Sequence, residues 1–278
     1  MHILGGILEL LNAKMDVPGM YGGFHLFFFA VSVMAGIDLC RRYPKPDPAF
    51  IRKLLLVVSL VVIILEAYKQ INLNFQYDEQ TITFDFQWYA FPFQFCSTPM
   101  YIGLLAAVVR NHRIHERLCA YLATYGLFAG LCVMFYPSTV FTGTIGINIQ
   151  TMVCHGSMVT IGMYLLGSGY IETNRRTIVK ALPIFAALVA LAMAMNELAY
   201  RSGLLETDYF NMFFISPYCA PELPVYSLVQ TVVPFPWCAL IYIAGFTFAG
   251  SLILLLADLM KHILFYLTNH HKPRLCLR

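Results

Sequence analysis

The feature that most restricts this chain is a series of apolar stretches, each about as long as a bilayer core is thick. A helix rises about 1.5 Å per residue, so roughly 20 apolar residues cross a hydrocarbon layer of about 30 Å. Such stretches lie at Gly22–Cys40, Leu54–Ile71, Phe93–Val109, Leu118–Tyr136, Thr151–Ile171, Ile178–Tyr200 and Trp237–Leu259. Hydrophobic residues make up 59% of the 278 and charged residues 12%, about half the ~25% of a soluble domain. A soluble fold of this length has no interior large enough for that much apolar surface, so lipid is its main solvent. The expected fold is an all-α membrane protein, a seven-helix bundle forming one polytopic domain over residues 1–278. No linker or sequence repeat divides it.

The basic residues give the bundle a direction. From the N-terminus, the segments flanking and joining the stretches carry one, five, one, three, none, three, one and four of the 18 Lys and Arg residues. Fifteen fall on one side and three on the other, and the basic side of a membrane protein is cytoplasmic. This predicts an outer N-terminus and a cytoplasmic C-terminus; six spans would break the alternation. Met1 to Lys14 has no Lys or Arg ahead of its apolar part, so it reads as a short interfacial helix rather than a secretory signal. No block of like charges points to nucleic acid. The eight cysteines include no Cys-x-x-Cys pair, so neither a disulfide framework nor a metal site is expected, and nothing calls for a cofactor. Protein partners are not legible.

Two outer segments are long, Asn72–Pro92 and Arg201–Pro236, and both are rich in aromatics and prolines. They are expected to fold back over the outer mouth of the bundle, as an interfacial aromatic belt or as a lid over a cavity.

Ionisable groups inside apolar spans are costly, so each is a candidate for function. With the orientation fixed, His25, Glu66, Lys69, Cys96, His155, Asn196 and Glu197 all fall in one layer of the outer half. A polar pocket open to the outer leaflet would explain that clustering. Glu66 and Lys69, three residues apart, equally suit a self-neutralising ion pair. Glu197 equally suits a helix end reaching interfacial water, and His25 a packed core histidine. Cys96 and His155 suit a nucleophile and a general base. A retinal protein needs a lysine within its last span, whereas Lys261 lies beyond Trp237–Leu259. The rival class is a non-enzymatic binding protein or transporter for lipid or another small molecule, using the same polar layer without covalent chemistry.

Three blocks carry a family resemblance. Phe91-Pro-Phe-Gln-Phe-Cys96-Ser-Thr-Pro-Met-Tyr101 resembles the motif in which the YwaF-like integral membrane proteins open a helix with a cysteine. Thr151-Met-Val-Cys-His155-Gly, 59 residues on from Cys96 to His155, resembles that family's histidine-bearing helix. Tyr209-Phe-Asn211-Met-Phe-Phe, followed by Pro234-Phe-Pro-Trp237, is similar to its asparagine block and the start of its last helix. Order and spacing cover about residues 50–260. The eukaryotic branch is that of the transmembrane protein 164 acyltransferase, which moves polyunsaturated acyl chains onto ether lysophospholipids; the Phe-Gln-Phe-Cys string is closer to the bacterial branch. The resemblance implies a phospholipid acyltransferase or transacylase, or a related acyl-ester hydrolase, in a bacterial cytoplasmic membrane. Its partners would be phospholipid and lysophospholipid. Cys96 would be the nucleophile and His155 the base. Ser97 or Asn211 would stabilise the oxyanion, and Glu66, Lys69, Asn196 and Glu197 would support or bind substrate.

Overall fold

A computed structural model describes residues 2–78, 81–137, 139–235 and 237–270. Pro236 and the basic tail with Lys272, Arg274, Cys276 and Arg278 lie outside the described residues. The chain runs α1 (His2–Leu11), α2 (Gly23–Arg42), α3 (Pro48–Asn74), β1 (Phe75–Asp78), β2 (Thr81–Phe84), α4 (Thr98–Val108), α5 (His112–Tyr121), a π-helical turn (Leu122–Gly126), α6 (Leu127–Phe135), α7 (Ile145–Gly167), α8 (Arg175–Arg201), α9 (Pro224–Val232) and α10 (Trp237–His270). Helices α5, the π turn and α6 form one continuous rod.

Among the described residues six helices are long and apolar enough to cross a membrane: α2, α3, the rod His112–Phe135, α7, α8 and α10. The expected span at Phe93–Val109 is different. Only its last two thirds are helical, the 11 residues of α4, about 16 Å long. Pro99 in the first turn of α4 suits a helix start there, where its missing N–H costs nothing. Phe91–Ser97 instead follows an irregular path alongside the end of α3.

The rod and α7 form the centre: 72% of the most apolar window of each is buried, against 17–22% for the other four. Small residues bring the central helices together. A Cβ on Gly130 would lie 2.8 Å from both the His155 carbonyl and the Met158 Cβ, so α6 and α7 meet nearly backbone to backbone. On its other side α7 packs on α2, where Thr160 Oγ1 donates to the Ser32 carbonyl at 2.8 Å.

One end of the bundle carries a cover that an all-helical reading omits. Strands β1 and β2 pair antiparallel with Phe75 opposite Phe84 and Tyr77 opposite Ile82. Phe75-Gln-Tyr-Asp78 alternates aromatic with polar and Thr81-Ile-Thr-Phe84 polar with apolar, a two-residue period that suits a strand. Helix α1 docks at this hairpin end, its last carbonyls at Leu11 accepting from Tyr68 Oη at 2.6 Å and Asn72 Nδ2 at 3.0 Å. The two long segments expected to fold back do so, and they interlock. Trp88 and Phe91 stack on one another and both meet Phe210. Phe93 and Phe95 pack on Phe213.

At the opposite, basic end, the stopped helix α4 is capped from outside. Arg52 of α3 donates to the carbonyls of Ala106 at 3.3 Å, Ala107 at 3.4 Å and Val109. His115 Nδ1 donates to the Ala106 carbonyl at 2.8 Å. Its Nε2 therefore carries a lone pair, which accepts from Tyr170 Oη at 2.8 Å. Burial pushes the Tyr170 phenol up to about 12, so it stays a donor at neutral pH. Replacing Arg52 by Met removes charge-assisted bonds to the last carbonyls of α4. A loss of about 1.5–3 kcal/mol is expected, read as a lowered unfolding temperature in detergent, with Arg52→Lys falling between. An unchanged transition for both variants would contradict this capping role.

Candidate functional site

The polar residues expected in one layer all lie in the half of the bundle that carries the hairpin, but they divide into separate groups. The first is built on α3. The Glu66 carboxylate, 6% exposed, takes Lys69 Nζ at 2.7 Å and Gln70 Nε2 at 2.9 Å on Oε1, and Gln150 Nε2 of α7 at 3.0 Å on Oε2. Gln70 Nε2 also reaches the Ala90 carbonyl at 2.8 Å. Asn74 continues the ladder, donating to Gln70 Oε1 at 3.2 Å and accepting from the Gln87 backbone at 2.6 Å. A buried carboxylate with an ammonium and two amide donors is well satisfied, so this cluster holds α3, α7 and the aromatic segment in register.

Cys96 lies beside it, in the last turn before α4. It packs against the cluster that includes Val62, one helical turn from Glu66 on α3. Its carbonyl faces Cys154 Sγ at 4.0 Å. Ser97, buried, is the N-cap position of α4, so the positive end of that helix dipole lies next to Cys96. Cys96 lines a narrow, almost wholly apolar crevice of about 30 Å³, room for roughly two waters. The crevice runs from Cys96 and Cys154, past Pro99 and Gly126, to Leu55 and Ile161. One wall is the π-helical turn, a distortion that widens a helix and recurs at functional sites.

His155 occupies the same depth on a different face. Successive residues of a helix are turned by about 100°, and it is Cys154, not His155, that lines the crevice. His155 Nδ1 bonds the Thr151 carbonyl at 2.7 Å. A carbonyl only accepts, so Nδ1 carries the hydrogen and Nε2 is left as a basic lone pair. That Nε2 is buried and has no hydrogen-bond partner among the described residues. No hydrogen bond joins it to Cys96 or to Glu66. A thiol and an imidazole do meet elsewhere: Cys119 Sγ lies 3.5 Å from His115 Nε2 at the basic end, both fully buried around the cap of α4.

The remaining expected residues hold the cover. Asn196 clasps the Met212 backbone on both sides, accepting from its N–H at 2.8 Å and donating to its carbonyl at 3.0 Å. Gln94 does the same one step on, with the Asn211 carbonyl at 3.0 Å and the Phe213 N–H at 2.9 Å. The Asn211 side chain accepts from the Ser216 N–H and donates to Tyr209 Oη, each at 3.0 Å. These bonds steady a backbone in which Phe213 has φ +60° and Phe214 φ +55°. Glu197 faces outward and pairs with Arg201 at 2.7 Å and Tyr218 Oη at 2.5 Å. His25 is fully buried between the Tyr21 N–H at 3.0 Å and the Met134 carbonyl at 2.8 Å, and tethers the start of α2. Sequence reasoning missed Gln70, Gln94 and Gln150. Uncharged amides in or beside apolar runs are the signal that was there to follow.

Among the described residues no three His, Cys, Asp or Glu side chains stand close enough to hold a metal ion. Lys69→Met leaves the Glu66 carboxylate buried with only its amide donors. A loss of about 3 kcal/mol is expected in thermal or denaturant unfolding, the low end for a broken buried pair because Gln70 and Gln150 remain. Adding Glu66→Gln should restore most of it; a double variant no better than Lys69→Met would contradict the pairing. No curated protein and no solved structure matches this sequence. The TMEM164 family does, over residues 20–257, a range that includes α2 to α9, the first part of α10, Cys96, His155 and the clasped loop. The chain is an integral multi-pass membrane protein and belongs to the TMEM164 family.

Proposed function

We propose that this protein is a membrane lipid acyltransferase, moving acyl chains from phospholipid to lysophospholipid through a thioester on Cys96. The observation that carries the reading is the position of Cys96: at the N-terminus of a broken helix, beside a buried ion pair, and at the head of an apolar crevice. Polar chemistry at the top and hydrocarbon below is the order of groups in a lipid ester. His155 supports the reading as a base, because its free Nε2 already has the form that takes a proton.

In this mechanism His155 Nε2 takes the Cys96 proton through an intervening hydroxyl or water, and the thiolate attacks the ester carbonyl. Collapse of the tetrahedral adduct expels the lysolipid alkoxide, which takes the proton back from His155 and leaves the acyl group on sulfur. An acceptor hydroxyl then gives its proton to His155 and attacks the thioester, releasing Cys96; water in its place makes the reaction a hydrolysis. The Asn211 amide is occupied within its loop, so Ser97 is the better side chain for the oxyanion. Cys96→Ala should abolish acyl transfer in liposomes of phospholipid and lysolipid without moving the unfolding transition. His155→Gln should slow it by roughly 10²–10⁴-fold, the usual worth of a general base. Full transfer by the Cys96 variant would sink the mechanism. Lipid transport that survives it, with no transfer by either protein, would favour the binding-protein or transporter class.

The same reading makes Ala90–Val109 a seventh crossing. Gln70 meets Ala90 near one end of α3 and Arg52 meets Val109 near the other, 18 residues or about 27 Å apart along the helix. With the basic loops cytoplasmic, the hairpin end faces outward. By its closer likeness to the bacterial branch, the membrane is a bacterial cytoplasmic membrane. In a background free of other reactive thiols, a cysteine at Lys45 should label only from the cytoplasmic side and one at Asp85 only from outside. Labelling of both from one side would refute the orientation.

A further inference from the structure

Gly126 ends the π-helical turn and lines the crevice. Its backbone, φ −61° and ψ −51°, is ordinary right-handed helix, which any residue adopts. A Cβ built there meets nothing closer than the Tyr121 carbonyl at 3.6 Å, Pro99 Cγ at 3.8 Å and Leu122 Cδ2 at 3.9 Å, all normal contacts. Gly130 one turn on is different, because its Cβ would strike the backbone of α7. So the fold needs a glycine at 130 and does not need one at 126, where glycine also costs helix stability relative to alanine. What the missing side chain leaves open at 126 is the crevice.

Its place along the crevice gives that opening a use. Pro99, which the added Cβ would touch, lies one turn below Cys96. From Val62 to Leu55 on α3, and from Cys154 to Ile161 on α7, the lined path continues inward for seven residues, about 10 Å. Gly126 therefore lines the slot level with Pro99, one turn in from the thiol. Two of the walls there, Met100 and Met158, are unbranched and adaptable, so the slot can widen without moving backbone. The opposing faces of α3, α4 and α7 along this path carry no charged side chain.

We propose that Gly126 sets the bore of an acyl-chain channel that opens when Met100 and Met158 change rotamer, so that the slot of about 30 Å³ widens to take the first ~10 Å of a linear hydrocarbon chain attached at Cys96. The proposal rests on Cys96 as the point of acyl attachment but is testable without any acyl transfer. Alkyl methanethiosulfonates place a chain of chosen length on a thiol. The thiolate attacks the sulfenyl sulfur, an S–S bond forms, the S–SO₂ bond breaks, methanesulfinate leaves, and the thiol proton goes to buffer. The full-length protein in liposomes is treated with the methyl or the dodecyl reagent, and modification is read by peptide mass spectrometry at Cys96. Cys132, exposed on α6, serves as the internal control.

In the wild type both reagents modify Cys96. In Gly126→Leu the dodecyl-to-methyl ratio at Cys96 falls by roughly tenfold or more, while the ratio at Cys132 stays constant. Gly126→Ala, whose added methyl meets only normal contacts, keeps or raises the unfolding temperature and gives a smaller fall in the same direction. A ratio at Cys96 that is unchanged in both variants, or a methyl rate that falls in parallel with the dodecyl rate, overturns the proposal. Because the reagent needs only a thiol and a channel, this result stands apart from the acyl-transfer assay: loss of the catalytic reading leaves the bore measurable, and loss of the bore leaves Cys96 catalysis to be judged by its own variant.

Discussion

A backbone that leaves the helix still needs partners for its N–H and C=O groups, and that constraint organises this molecule around the break before α4. Each end of the interrupted stretch is met by side chains from elsewhere. At the basic end Arg52 and His115 take the carbonyls of the last turn. At the hairpin end Gln70 takes the Ala90 carbonyl, and Gln94 and Asn196 clasp residues 211–213 of the second long segment against the first. With these partners the chain acquires a helix N-terminus at depth, and the residue in front of that terminus is Cys96.

The cluster on Glu66 works on the same region from the side. It ties α3 to α7 through Gln150 and to the aromatic segment through Gln70, so the walls of the crevice are fixed where Cys96 enters it. Further in, the walls loosen: the π-helical turn, Gly126 and two methionines replace the close Gly130 contact that holds α6 on α7. A rigid polar head above an adaptable apolar slot is what a site for lipid esters requires, since the ester must be held in one place while the chains it carries vary.

The long helices were legible because a membrane span needs little more than apolar length, and α2, α3, α7, α8 and α10 have it. The same count of apolar length read the third stretch as helix throughout, whereas it is helical only over Thr98–Val108. Counting apolar residues over Phe93–Val109 passed over Pro99, although Ser97-Thr98-Pro99 is a normal helix start. The hairpin was also written in the chain, in the two-residue alternation of Phe75–Asp78 and Thr81–Phe84, but a helical expectation did not look for that period. The site was half legible. Orientation gave each polar residue a depth, and depth put Cys96, Glu66, Lys69 and His155 in one half of the bundle. It gave no direction around each helix axis. A turn of 100° separates Cys154, which lines the crevice, from His155, which does not, and only packing fixes that angle.

The central claim is that Cys96 carries an acyl group during turnover, and the most direct measurement is to look for it. Protein incubated in liposomes with phospholipid alone, quenched in acid and digested, should yield a Cys96 peptide heavier by one acyl group, lost on treatment with neutral hydroxylamine and lost again when lysolipid is added before the quench. Steady acyl transfer with an unmodified Cys96 peptide, or a hydroxylamine-sensitive acyl group on another residue, would contradict the account.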